Sequence, residues 1–201
     1  MPDTPFAHFK MKVIKCIKNY LDIDVSDVPV SYVDTISFYK CIKENYKLSS
    51  ETYQDIELVK ERYKLLCEII PGLYKWKDEK VYIKNEAKSD FSLLLAELLH
   101  SKSITKGNIQ IRKWFSEGLI HFIEKILCEL CDINYVESGH RDYFIIWEKI
   151  YNKYGLEVLK SIIFAEDIKI TIGIMKHIFR YENNDILEIP LSKILLLLEK
   201  I

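Results

Sequence analysis

Glutamine is nearly missing from this chain, present only at Gln54 and Gln110, and glycine is scarce, with 6 residues in 201. The glycines are scattered, so there is no Gly-rich loop to cradle phosphates and nothing for a nucleotide-binding reading to rest on. Long apolar runs are missing too, because lysines and glutamates interrupt every stretch before the roughly 20 residues that a membrane span needs. The opening MPDTPFAHFKMKVIKCIKNYL spreads lysines through its apolar positions and so lacks the core of a secretory leader. An excess of charge of one sign is also lacking. The 29 basic and 30 acidic residues leave a formal net charge of -1, which gives no bulk attraction to nucleic acid or to an anionic membrane. These absences lead to the expectation of a soluble, cytoplasmic chain with no nucleic-acid or membrane partner. Sparse glutamine beside abundant lysine and glutamate suits a heat-adapted protein, and an AT-rich genome equally well.

What is present is an ordinary globular balance, 49% hydrophobic and 29% charged, long enough for one domain with a sizeable core. The five cysteines (Cys16, Cys41, Cys67, Cys128 and Cys131) lie in apolar segments and read as small buried hydrophobes. Cys128-Glu129-Leu130-Cys131 is a C-x-x-C pair, but it ends a helix. A redox motif needs the helix N-terminus to lower a thiol pKa, and a zinc ribbon needs a second pair.

Periodicity places the elements. A helical stripe runs through Phe6, Phe9, Val13, Ile14, Ile17 and Leu21. DIDVSDVPVSYVDT follows, suiting a short strand and turns, and TISFYKCIKENY (35–46) reads as a helix. A clearer helix begins after a cap at Ser49 or Ser50 and stops at Pro71-Gly72. LYKWKDEKVYIKN then alternates aromatic and β-branched residues on either side of Lys77-Asp78-Glu79, which predicts a hairpin with its second strand near 80–84. Ser89 or Asp90 caps the next helix, which is apolar nearly all round and therefore central. A long helix from about 110 to 131, another over 141–154, and two helical stripes complete the chain. The fold class is α+β, mostly helical with a small sheet.

That central helix contains Ala96-Glu97-Leu98-Leu99-His100, one letter away from His-Glu-x-x-His. Residues three and four apart share a helical face, so Glu97 and His100 point the same way. In the zinc motif two histidines at i and i+4 hold the metal, and the glutamate after the first is the general base toward the attacking water. A catalytic zinc also needs a third protein ligand. The next long helix, KWFSEGLIHFIEKI, offers Glu117 followed by Gly118.

Taken together, KVYIKN, SLLLAELLH and RKWFSEGLIHFIE resemble the gluzincin-type zinc metallopeptidases, over roughly residues 73–165. YFIIWEKIYNKYGLEVLKSIIF is similar to the helical tail of peptidase-like domains of that group. The resemblance implies a zincin-like fold with a small sheet or hairpin packed on a central active-site helix, in a single domain over 1–201. Residues 1–72 form an N-terminal part, 73–165 the zincin-like core, and 166–201 the C-terminal helices. It also implies Glu97 as general base, His100 as a zinc ligand, Glu117 as another, and Gly118 as the small residue that lets the two helices approach. The strand at Val81, Tyr82 and Ile83 matches the edge strand along which the family pairs a peptide.

Position 96 departs from the pattern, since Ala96 has no lone pair for a metal. The leading expectation is therefore a metallopeptidase-like protein with a degenerate zinc site, weak or inactive, that binds a peptide or protein partner in its cleft. Two alternatives stay open. One is an active zinc peptidase whose site is completed by His121, one turn after Glu117, or by a restored histidine at 96. The other is a mainly helical interaction module in which Glu97 and His100 are only a satisfied buried pair. His140, Tyr135 and Tyr143 follow the second helix, where a histidine or tyrosine can stabilise an oxyanion or simply pack. His8 and His177 are isolated.

Overall fold

The computed structural model describes residues 4–46, 56–105, 111–137, 139–199 and 201. Helix α1 (Thr4–Leu21) buries Val13, Ile17 and Leu21, and its Phe9 ring stacks on Phe91 with centroids 4.2 Å apart. Strand β1 (Val30–Val33) leads into α2 (Thr35–Tyr46), whose entry is fixed by Asp34 accepting from the Ser37 N–H at 2.8 Å. Helix α3 (Ile56–Ile69) ends just before Pro71. Its expected cap at Ser49 or Ser50 lies outside the described residues.

The hairpin forms as the alternation predicts, with β2 (Gly72–Lys75) antiparallel to β3 (Lys80–Lys84) and Glu79 at φ 49° in the connecting turn. The strand order β1-β3-β2 adds a fact that spacing did not reveal. β3 is the middle strand, parallel to β1 through Val30↔Val81 and antiparallel to β2 through Tyr74↔Val81. Val81, Tyr82 and Ile83 are therefore paired on both sides and offer no edge to a peptide. Their assignment to an edge strand is overturned by β1, whose sequence gave no sign of where it pairs. β2 and β1 are the outer strands.

Asp90, the second of the two expected caps, starts α4 (Phe91–Lys102) by accepting from the Leu93 N–H at 2.9 Å. Leu94, Leu95, Leu98 and Leu99 of α4 are all buried, each contributing about 1.5–3 kcal/mol of transfer free energy. α5 (Lys113–Leu130) packs beside α4. α6 (Phe144–Ile163) is broken at Gly155, where φ 77° and ψ -178° leave the helical region, so the helix expected over 141–154 and the one after it meet at this glycine. α7 (Ile168–Phe179) and α8 (Leu191–Leu198) finish the chain. The segment before α8 fastens the start of α5, because Trp114 Nε1 donates to the Ile189 carbonyl at 2.9 Å and Arg112 Nε to the Glu188 carbonyl at 2.7 Å.

Apolar side chains gather into two clusters. The larger joins α1, β3 and α4 to α5, α6 and the C-terminal helices, while Phe38, Ile42, Tyr63, Cys67 and Leu73 form a smaller one under α2 and α3. The fold is α+β, mostly helical with one three-stranded sheet, and no helix among the described residues is long and apolar enough to cross a membrane.

The cysteines depart from expectation in one respect. Cys67 and Cys128 are buried free thiols and Cys41 is partly exposed, but Cys16 and Cys131 form a disulfide across 115 residues. α1 lies along α5, which brings their Cα atoms to 6.1 Å, within the range a disulfide spans. Position in the chain could not show that contact.

Candidate functional site

Where α4 crosses α5, five ionisable side chains enter a largely apolar seam. Helical spacing alone puts Glu97 and His100 on one face of α4, and Glu117, His121 and Glu124 on one face of α5. Packing then turns the two faces toward each other. His100 Nε2 lies 3.5 Å from Glu117 Oε2, and His121 Nε2 lies 3.9 Å from the same oxygen. The His100 and His121 rings stand nearly perpendicular, with centroids 6.1 Å apart. One ligand atom from each of His100, Glu117 and His121 falls within 4.8 Å of the other two.

His121 is held from behind. Its Nδ1 is 2.6 Å from Oε2 of Glu124, a carboxylate only 2% exposed. The other Glu124 oxygen accepts from the Ser92 hydroxyl, and Ser92 Oγ in turn accepts from the Val136 N–H at 3.3 Å. In front, the His140 ring stacks on His121 at 4.9 Å with planes 19° apart, and Tyr143 continues the stack on His140 at 5.9 Å.

The charges follow from burial and from this packing. Burial pushes the Glu97 carboxyl up to about 8, and Glu117 adds to the rise, against His121 and the Tyr74 backbone N–H, which favour the charged form. Burial lowers His100, against the pull of Glu117. Burial would raise Glu117, but the imidazoles of His100, His121 and His140 outweigh it and hold the carboxyl below its ordinary value. Burial also works against a charge on His121. The hydrogen bond to Glu124, and then the Glu124 and Glu117 charges, overcome it and lift the imidazole above its usual value. His140 is lowered by burial and then by His121.

The other expected residues divide. Ala96 is 1% exposed within the main apolar cluster. Gly118 does permit a close approach, but to Tyr143 and Trp147 rather than to α4. A Cβ there would meet Tyr143 Cβ at 2.6 Å and Trp147 Nε1 at 3.0 Å. Val81 and Ile83 are buried in the sheet, and the Tyr82 hydroxyl donates to Asp78 at 2.9 Å. Spacing had put His121 beside Glu117 but could not tell which way its ring faces.

Three further site residues were given no role by sequence reasoning. Ser92 and Tyr74 carry no sequence signal, since a serine early in a helix and a tyrosine in a strand are common. Glu124 did carry one. It is a carboxylate between Ile123 and Ile126, on the apolar face of α5, where a charge needs a partner. Tyr74 matters through its backbone, which bears on the Glu97 carboxyl, and it lies on the outer strand β2 that packs against α4.

Two imidazoles and a carboxylate are a donor set used by mononuclear sites for zinc or a similar transition metal, and His100, Glu117 and His121 lie close enough together that they could hold one ion. No protein-family model, curated protein or solved structure matches this chain.

Proposed function

We propose that this chain is a zincin-like zinc protein whose metal site is completed by His121 instead of by residue 96, and that it hydrolyses peptides. The observation that carries the reading is the convergence of His100, Glu117 and His121 to within 4.8 Å, ligand atom to ligand atom. These three residues would hold the ion, and zinc would supply a Lewis acid that polarises a carbonyl and lowers the pKa of a water. Glu97 stands one turn before His100, with its carboxyl pushed up to about 8. A carboxyl beside the ion can take a proton from a nucleophilic water and return it to a leaving amine. The half-buried setting of His100 and His121, and the stack of His140 over His121, keep bulk water from the ligand side chains.

The gluzincin resemblance supplies the substrate class, and the sheet supports a place for it. An extended peptide would add to β2, an outer strand that packs against α4, and not to β3, whose two sides are taken.

Metal analysis of the purified protein, with peptide cleavage measured on the same samples, tests this reading. One zinc per chain is expected, lost in His121→Ala together with any cleavage. A native chain that takes up no zinc from excess would remove the metal site altogether. A second reading, that the cleft binds a peptide without cutting it, is favoured by the pairing of Glu117 with His100 and of Glu124 with His121 and Ser92, which gives these groups partners without an ion. Stoichiometric zinc without cleavage would support it.

A further inference from the structure

The hydrogen bonds behind His121 form a chain along which the donors can be read in order. It starts at the Val136 N–H, which can only donate, and which reaches Ser92 Oγ at 3.3 Å. The Ser92 hydroxyl, having accepted there, gives its own proton to Glu124 Oε1. Glu124 Oε2 is then left to accept from the one remaining partner, Nδ1 of His121, at 2.6 Å. A carboxylate only accepts, so Nδ1 carries the hydrogen. In the neutral ring the lone pair must then sit on Nε2, the nitrogen that faces Glu117.

We infer that Ser92 and Glu124 are positioning residues that fix the tautomer and the ring direction of His121, so that its bare Nε2 is presented toward His100 and Glu117. This rests on the metal-site reading above and adds the part of the structure that makes His121 a usable ligand.

Two observations separate this role from ordinary packing. The first is burial. Glu124 is 2% exposed, on the face of α5 where Leu127 and Ile120 lie one turn away, and a leucine would fill that space without the desolvation cost of a carboxylate. A charge held there is spent on its two hydrogen bonds. The second is the second constraint on the same ring. His140 lies over His121 with planes 19° apart, so the imidazole is held in its plane by the stack as well as by Nδ1. Carboxylate partners behind ligand histidines orient the ring and raise its basicity, and their loss typically weakens metal binding about 10–100-fold.

The test uses nitrogen NMR of imidazole-labelled protein, stripped of metal and held well above the imidazole titration range, alongside zinc affinity from chelator competition. In the native chain His121 is expected as the Nδ1–H tautomer. Glu124→Leu should remove that signature and weaken zinc by about 10–100-fold. Glu124→Gln keeps a carbonyl acceptor and should restore the tautomer and most of the affinity. Ser92→Ala should move both readouts in the direction of the leucine variant, by less. An Nε2–H tautomer in the native chain would overturn the inference, as would Glu124→Leu with unchanged tautomer and zinc affinity. Should Glu124→Leu not fold, the native spectrum and the serine and glutamine variants still decide. A native chain that holds no zinc brings down the metal-site reading alone, because the tautomer is read without metal.

Discussion

Nε2 of His100 lies 3.5 Å from Oε2 of Glu117, so the last turns of α4 meet the first turns of α5 through an imidazole and a carboxylate. The contact joins residues from the two helices that carry the zinc-peptidase resemblance, and His121 of α5 is the third member of the cluster.

His100→Ala and Glu117→Ala are each expected to abolish stoichiometric zinc, measured by elemental analysis after dialysis against zinc. Ala96→His is expected to add none. Ala96 is 1% exposed in the main cluster, and forcing an imidazole into that space costs about 1–3 kcal/mol of stability. Increased zinc uptake in Ala96→His would restore residue 96 as the position of the missing ligand.

Stability of the metal-free protein should fall as pH rises from about 5 to about 8. The Glu97 carboxyl, pushed up to about 8 by burial and by Glu117, keeps its proton across this window while the unfolded chain has lost it. The folded state then binds more protons than the unfolded one, and its stability declines with pH until the folded carboxyl ionises. Glu97→Gln cannot ionise and should remove most of that slope, with a smaller part remaining from His121, whose value is also raised. Thermal denaturation in chelator at several pH values reads the difference. Parallel pH profiles for the two proteins would refute the role given to Glu97.

Gly118→Ala is expected to cost about 1–3 kcal/mol, because its Cβ would fall 2.6 Å from Tyr143 Cβ, an atom anchored to the backbone and unable to swing away. Displacing Tyr143 should also loosen its stack on His140, which lies 5.9 Å away. Denaturant titration gives the first effect, and His140 line shapes give the second. Native-like stability would mean that the seam yields more easily than its spacing implies.

Peptide mapping without reductant should recover Cys16 and Cys131 as one cross-linked fragment, with Cys128 alkylated separately after unfolding. Cys16→Ser is expected to lower stability by about 2–5 kcal/mol, the usual cost of losing a native disulfide. Such bonds persist in oxidising compartments and in the interiors of some hyperthermophiles, and in few other places. Cross-linking between Cys128 and Cys131 would instead contradict the packing of α1 against α5.

The sequence by itself determined the local structure. The alternation about Lys77-Asp78-Glu79 dictated the hairpin, the all-round apolar surface of 91–102 made α4 central, and Asp90 marked its start. Spacing along single helices also put Glu97 beside His100 and Glu117 beside His121. Everything that depends on two distant segments was decided by the tertiary structure. β1 took the free side of β3 and left β2 outside. α1 brought Cys16 to Cys131. The crossing of α4 and α5 set Ser92 behind Glu124 and turned His121 toward His100. Periodicity reports which face of an element is apolar, because burial repeats with the backbone. It carries no information on which buried face meets which, since that depends on the fit of side chains far apart in the chain. Ala96 and His121 could both be singled out from the sequence, but only the packing of α5 on α4 brings His121 within reach of His100 and Glu117.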